Sequence, residues 1–135
     1  MNESDIEEII SSNPSNINIL GIQYFSGTQK TSVKKYRREI EYLDNYLTKL
    51  KDEFGFEARE LEYGTGFPVS YFEGEENNEA EIFEAFSELL NNMVNKPQIT
   101  LEIGRSLVAS CGSYYTHIVD MKTNKKQDYL LIDGG

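Results

Sequence analysis

Glu102, Gly104 and Arg105 stand together at one corner of this sequence, where the apolar run Ile99-Thr100-Leu101 gives way to a carboxylate, a glycine and an arginine. A glycine lets a phosphate approach the backbone, and an arginine offers a planar fork of donors matched to phosphate oxygens. A carboxylate beside them can hold a protonated ring nitrogen. A second cradle, Gly64-Thr65-Gly66, follows another short strand-like run at residues 57–63. One predicted helix separates the two corners. The pattern reads as one phosphate held between adjacent strands of a parallel β/α barrel, a fold whose last strands commonly build such a site.

The elements that must position these residues follow from periodicity. Ser4 with Glu7 forms a capping-box pattern before Ile6, Ile9 and Ile10, so a short helix is expected to about residue 12, ahead of Pro14. Residues 17–24 read as a buried strand in which Asn18 and Gln23 are the polar exceptions. Thr31 is the expected cap of a long helix carrying Val33, Tyr36, Ile40, Leu43, Leu47, Leu50 and Phe54 at alternating spacings of about three and four, and Gly55 ends it. A second strand is expected over residues 56–63 and a long loop over 64–78. A second amphipathic helix over 78–94 turns Ile82, Phe83, Phe86, Leu89, Leu90 and Met93 inward, and residues 98–103 form a third strand. This β-α-β-α-β order implies parallel pairing with right-handed crossovers. From residue 113 the alternation changes to that of an antiparallel hairpin turning at residues 123–126.

Three segments occur in order: Gly21-Ile22-Gln23-Tyr24-Phe25-Ser26-Gly27-Thr28-Gln29, then Gly64-Thr65-Gly66-Phe67-Pro68, then Glu102-Ile103-Gly104-Arg105-Ser106-Leu107-Val108-Ala109. Through them the chain resembles the pyridoxal-phosphate-dependent decarboxylases of the alanine-racemase-like barrel class, the group holding diaminopimelate, ornithine and arginine decarboxylases. In that class one strand ends in a His-x-Gly-Ser-like motif, a later one in Gly-Gly-Gly-Phe and a third in Glu-Pro-Gly-Arg-Ser. The resemblance implies an α/β fold: a partial parallel β/α barrel of about three strands with helices, followed by an antiparallel hairpin that begins a β domain. Residues 1–110 would be the C-terminal part of the barrel and residues 111–135 the start of the β domain.

The same resemblance implies pyridoxal 5'-phosphate as cofactor and gives each residue a role. Glu102, the catalytic candidate, pairs with the pyridinium nitrogen; Gly104 and Arg105 hold the phosphate. Gly64, Thr65 and Gly66 take the place of the triple-glycine loop, and Gly27 and Thr28 that of the Gly-Ser pair. Phe25 stands where most members have a histidine flat against the ring; it can stack but cannot titrate. Ile103 replaces the usual proline and removes no ligand. The family's imine-forming lysine lies on an earlier strand, so the chain is expected to be a fragment of a larger enzyme, inactive alone and without that lysine. A homodimer or higher oligomer is the implied assembly. The substrate would be a small amino acid or an aminoacyl group carried on a carrier protein, as in decarboxylases of natural-product and exopolysaccharide gene clusters, which residues 66–75 and 131–135 resemble. A non-enzymatic phosphate-binding or assembly module is the alternative.

Acidic residues outnumber basic ones by 23 to 13, a net charge of −10, which argues against nucleic-acid or anionic-membrane partners. Any phosphate must be gripped locally. The longest apolar stretches are strand-sized, the first residues are acidic where a signal peptide would be basic, and the one cysteine, Cys111, excludes an internal disulfide and suits the cytoplasm. Cys111 reads as a buried filler, His117 as structural or exposed, and Tyr71 and Phe72 as loop packing. No metal site is expected, because no cysteine and histidine cluster exists.

Overall fold

Apolar residues repeating every three or four positions produce the long helix α2 (Val33–Phe54), whose buried side chains are Tyr36, Ile40, Leu43, Tyr46, Leu47 and Leu50. The computed structural model describes residues 1–134, and Gly135 lies outside the described residues. Ser32, one position past the expected Thr31, is the helix cap, and Gly55 closes the helix in the left-handed region at φ 66°. Ahead of it stands α1 (Glu3–Ser12). The box at its start is built by Asn2 and Asp5, not Ser4 and Glu7: the Asn2 N–H donates to the Asp5 carboxylate at 2.9 Å. Glu7 is drawn instead into an ion pair with Lys49 of α2 at 2.7 Å.

Three parallel strands, β1 (Gly21–Phe25), β2 (Glu60–Gly64) and β3 (Gln98–Glu102), form a sheet in sequence order with α2 and α3 (Glu79–Asn91) as crossovers. Each strand is shorter than its apolar run suggests, because pairing begins only where neighbours align: Arg59 and Glu60 N–H both donate to the Leu20 carbonyl before the ladder starts. Leu61 and Tyr63 of β2 point into the helix layer and join Tyr36, Ile40, Leu43, Leu47, Phe67, Ile82, Phe86 and Met93 in the core. Phe83 was expected inside. It is exposed instead, and covers the edge of Phe67 with ring centroids 4.7 Å apart.

The residues after α3 are tied back by Asp44 of α2, whose carboxylate accepts from Val94 N–H at 2.7 Å and Asn95 N–H at 2.9 Å. Partial burial alone would raise the Asp44 carboxyl; the donors from Val94 and Asn95 outweigh it and hold the group below its ordinary range. A depressed carboxyl contributes stability that is complete above its unfolded value and lost as the pH falls through the folded one. Asp44→Ala is expected to cost about 1–2 kcal/mol in urea unfolding at neutral pH, the scale of hydrogen bonds to a charged acceptor, with the difference shrinking in acid. An unchanged unfolding midpoint would remove Asp44 from the account.

Beyond β3 the chain makes a short helix α4 (Arg105–Val108) and a 3-10 turn (Ala109–Cys111), both unforeseen from the sequence. Their side chains are mostly exposed, so Cys111 is no buried filler: its thiol lies at the surface and meets the Val108 carbonyl at 2.8 Å. Strands β4 (Ile118–Asn124) and β5 (Gln127–Ile132) then pair antiparallel around Lys125 and Lys126, both at positive φ as a two-residue hairpin turn requires. Exposed His117 lies with Nδ1 3.1 Å from the Asp133 carboxylate. Among the described residues no helix is long and apolar enough to cross a membrane.

Candidate functional site

Register brings the sequence candidates to one end of the sheet. Phe25 lies opposite Gly64, and Gly64 opposite Glu102, so the last residues of all three strands form a row. Side chains alternate along a strand, which puts Gln23, Phe25, Glu62, Thr100 and Glu102 on the face away from α2 and α3. In a closed barrel that face lines the interior. Gly64 has a packing reason to be glycine: a Cβ there would sit 2.5 Å from a ring carbon of Phe25, which crosses the strand end with 59% of its surface exposed.

Glu102 and Arg105 do not pair with each other. The Gln23 amide donates to one Glu102 carboxylate oxygen at 2.9 Å, the other having no partner among the described residues, while Arg105 reaches the hydroxyls of Thr28 and Tyr71. A strand-end ion pair between them is therefore not what the structure holds. Arg105 has no carboxylate partner among the described residues. A guanidinium met only by hydroxyls is a cation awaiting an anion.

Gly66 and Gly27 bring the first two loops into contact. Gly66 has φ 60°, and a Cβ on it would come 2.1 Å from the Gly27 carbonyl oxygen and 3.0 Å from Cε of Lys30. Gly104, by contrast, would meet no protein atom within 4 Å, so space is open beside the backbone next to Arg105. Thr65 is 1% exposed, and both its N–H and its hydroxyl donate to the Glu102 carbonyl, at 3.2 and 3.1 Å. Its hydroxyl hydrogen is thus spent on fixing the end of β3.

Behind the glycine loops lies a cluster that sequence reading missed. Lys30, 3% exposed, pairs with Glu39 of α2 at 2.7 Å and lies over the rings of Tyr63 and Tyr36, 5.2 and 5.6 Å from their centroids. Glu39 also accepts from Ser26 at 2.6 Å and from the Tyr63 hydroxyl at 2.5 Å. Burial would raise the Glu39 carboxyl, but hydrogen bonds from Lys30, Ser26 and Tyr63 and the charge of Lys30 hold it below the usual range. Burial and the neighbouring Glu39 push the Tyr63 hydroxyl far above its ordinary value. The signal was present in the sequence as a carboxylate inside the apolar stripe, three residues after Tyr36 and one before Ile40. Gln23 had likewise been visible only as a polar exception in a strand.

The sequence matches the family model described as "Pyridoxal-dependent decarboxylase, pyridoxal binding domain" over residues 3–109. The chain belongs to that family. Among pyridoxal-dependent decarboxylases, it is 27% identical over 121 residues to a diaminopimelate decarboxylase of Aquifex aeolicus, spanning 89% of this chain and 28% of that protein. It is 26% identical over 121 residues to an L-glutamyl-(BtrI acyl-carrier protein) decarboxylase of Niallia circulans, covering 86% of this chain and 28% of the relative. In fold it is similar to the lysine/ornithine decarboxylase of Vibrio vulnificus complexed with cadaverine, with a TM-score of 0.71 at 20% identity over 97% of this chain and 36% of that one. The chain thus spans under a third of the length of these sequence relatives. Pyridoxal phosphate is the cofactor of the family. The donor set fits it, with a guanidinium among hydroxyls for the phosphate, a carboxylate for a ring nitrogen and, at the end of β1, the exposed aromatic face of Phe25.

Proposed function

We propose that this chain is the phosphate-holding and ring-nitrogen-holding part of a pyridoxal-phosphate-dependent decarboxylase. The observation that carries the reading is the convergence, at one sheet end, of Arg105 without a carboxylate partner and Glu102 with one carboxylate oxygen uncommitted among the described residues. Bound there, pyridoxal phosphate would supply the electron sink that decarboxylation of an amino acid requires. Arg105, Thr28 and the backbone at Gly27, Gly66 and Gly104 would hold its phosphate, with Gly64 leaving room for the Phe25 ring as a stacking face. Glu102, the catalytic candidate, would keep a proton on the ring nitrogen. Gln23 orients that carboxylate, and Thr65 acts by anchoring the Glu102 backbone.

The substrate we propose is an amino acid or a carrier-bound aminoacyl group. One sequence relative is named for the acyl-carrier form, which supports keeping both. The absence of an imine-forming lysine from this segment, the division at residues 110 and 111, and a cytoplasmic setting belong to the same reading. So does a homodimer or higher oligomer, and the unpaired outer edges of β1 and β3 support the need for further polypeptide against the sheet.

Arg105→Ala tests the reading directly. Pyridoxal phosphate titrated calorimetrically into the chain is expected to bind in the millimolar to micromolar range, about 4–8 kcal/mol. The variant is expected to bind at least 10-fold more weakly, because the charge-assisted fork is lost. Equal affinities would overturn the phosphate assignment.

A further inference from the structure

Tyr71 reads from sequence as loop packing, yet its ring is 53% exposed and its hydroxyl lies against the Arg105 guanidinium. The Arg105 carbon also sits 5.7 Å from the centre of the Tyr71 ring. This contact is prepared by the segment that carries it. Val69 exchanges two hydrogen bonds with the Gln29 side chain, at 2.8 and 2.9 Å, and Phe67, Pro68 and Val69 are buried. The Glu75 carboxylate then accepts from the N–H of Tyr71 at 2.8 Å and of Phe72 at 3.2 Å, and Ser70 donates to the Glu75 carbonyl at 3.0 Å. The loop has no freedom to set Tyr71 elsewhere without breaking these bonds.

The geometry draws one hydroxyl or guanidinium from each of the three segments that follow the strands: Thr28 after β1, Tyr71 after β2 and Arg105, at the start of α4, after β3. Both hydroxyls accept from Arg105, so each has its own O–H free to donate onward to the same anion. We propose that the Tyr71 hydroxyl is a third side-chain ligand of a phosphate monoester, beside Thr28 and Arg105. This rests on the phosphate reading above and adds a donor to it. A phenol accepting from a guanidinium is polarised towards donation, which strengthens its hydrogen bond to a dianion.

The test uses the full chain, with inorganic phosphate, pyridoxal phosphate and phosphate-free pyridoxal as probes in calorimetry. Tyr71→Phe keeps the ring over Arg105 and the loop bonds while removing only the hydroxyl. It is expected to weaken inorganic phosphate and pyridoxal phosphate alike, by about 10–100-fold for one hydrogen bond to a charged acceptor, and to leave pyridoxal unchanged. Thermal unfolding within 1 °C of the parent chain is the expected control. Should Tyr71→Phe bind phosphate as the parent does while Arg105→Ala does not, Tyr71 is a packing residue and the phosphate reading survives. Loss of pyridoxal binding equal to the loss of phosphate binding would also overturn the proposal. Equal phosphate binding by the parent chain and Arg105→Ala, or none by either, overturns both readings.

Discussion

Lys30→Met is expected to destabilise the chain by about 3–5 kcal/mol, the usual consequence of leaving one charge of a buried pair without its partner. Lys30 is enclosed by Tyr36, Tyr63 and Glu39, and its N–H also donates to the Gly66 carbonyl at 3.0 Å. Removing the ammonium strands the Glu39 carboxylate with hydroxyl donors only. The double variant Lys30→Met with Glu39→Gln removes that stranded charge and keeps one acceptor oxygen, while the amide NH2 donates to whichever of the Ser26 and Tyr63 hydroxyls turns to accept. It is expected to recover more than half of the loss, which distinguishes an orphaned charge from a simple packing defect. Urea unfolding followed by circular dichroism reads both variants, and the double variant keeps the test decisive if the single one does not fold. A single-variant loss below about 1 kcal/mol would show the pair to be effectively solvated.

The pair also fixes a direction for pH dependence. Because the folded Glu39 carboxyl lies below its ordinary value of 4.5, its stabilising contribution is complete above that value and fades as the pH falls through the lower folded value. The parent chain should therefore lose stability in acid. Glu39→Gln should lose less of its remaining stability over the same range.

Gly66→Ala is expected to weaken phosphate binding by 10-fold or more and to cost at least about 1–2 kcal/mol of stability, the penalty for placing an L side chain at its φ of 60°. The added methyl would also meet the Gly27 carbonyl oxygen, a backbone atom that cannot swing aside. The two glycine loops must then separate, and Lys30, which donates from its N–H to Gly66, moves with them. Calorimetry with inorganic phosphate and urea unfolding measure the two effects separately. Phosphate affinity unchanged in a folded Gly66→Ala chain would show that the close approach of the loops does not serve the phosphate.

The sequence by itself determined the order of elements, the parallel sheet and the family, because apolar periodicity and motif order are local properties that survive without contacts. Tyr36, Ile40, Leu43 and Leu47 declared the buried face of α2, and Gly55 its end, before any tertiary fact was needed. It also determined that Gly64, Gly66, Glu102 and Arg105 lie at or just beyond strand ends. Which partner each charge takes was decided only by the tertiary structure. Glu102 is three residues from Arg105 in sequence, yet it bonds Gln23, 79 residues away, because the register of β1 and β3 sets those side chains on one face. Lys30 and Glu39 drew no notice in the sequence; packing between the sheet and α2 made them a pair. Tyr71 looked like packing until a loop pinned by Gln29 and Glu75 carried it to Arg105. Charge pairing depends on distances of a few ångströms between residues far apart in the chain, and only the folded backbone sets those distances.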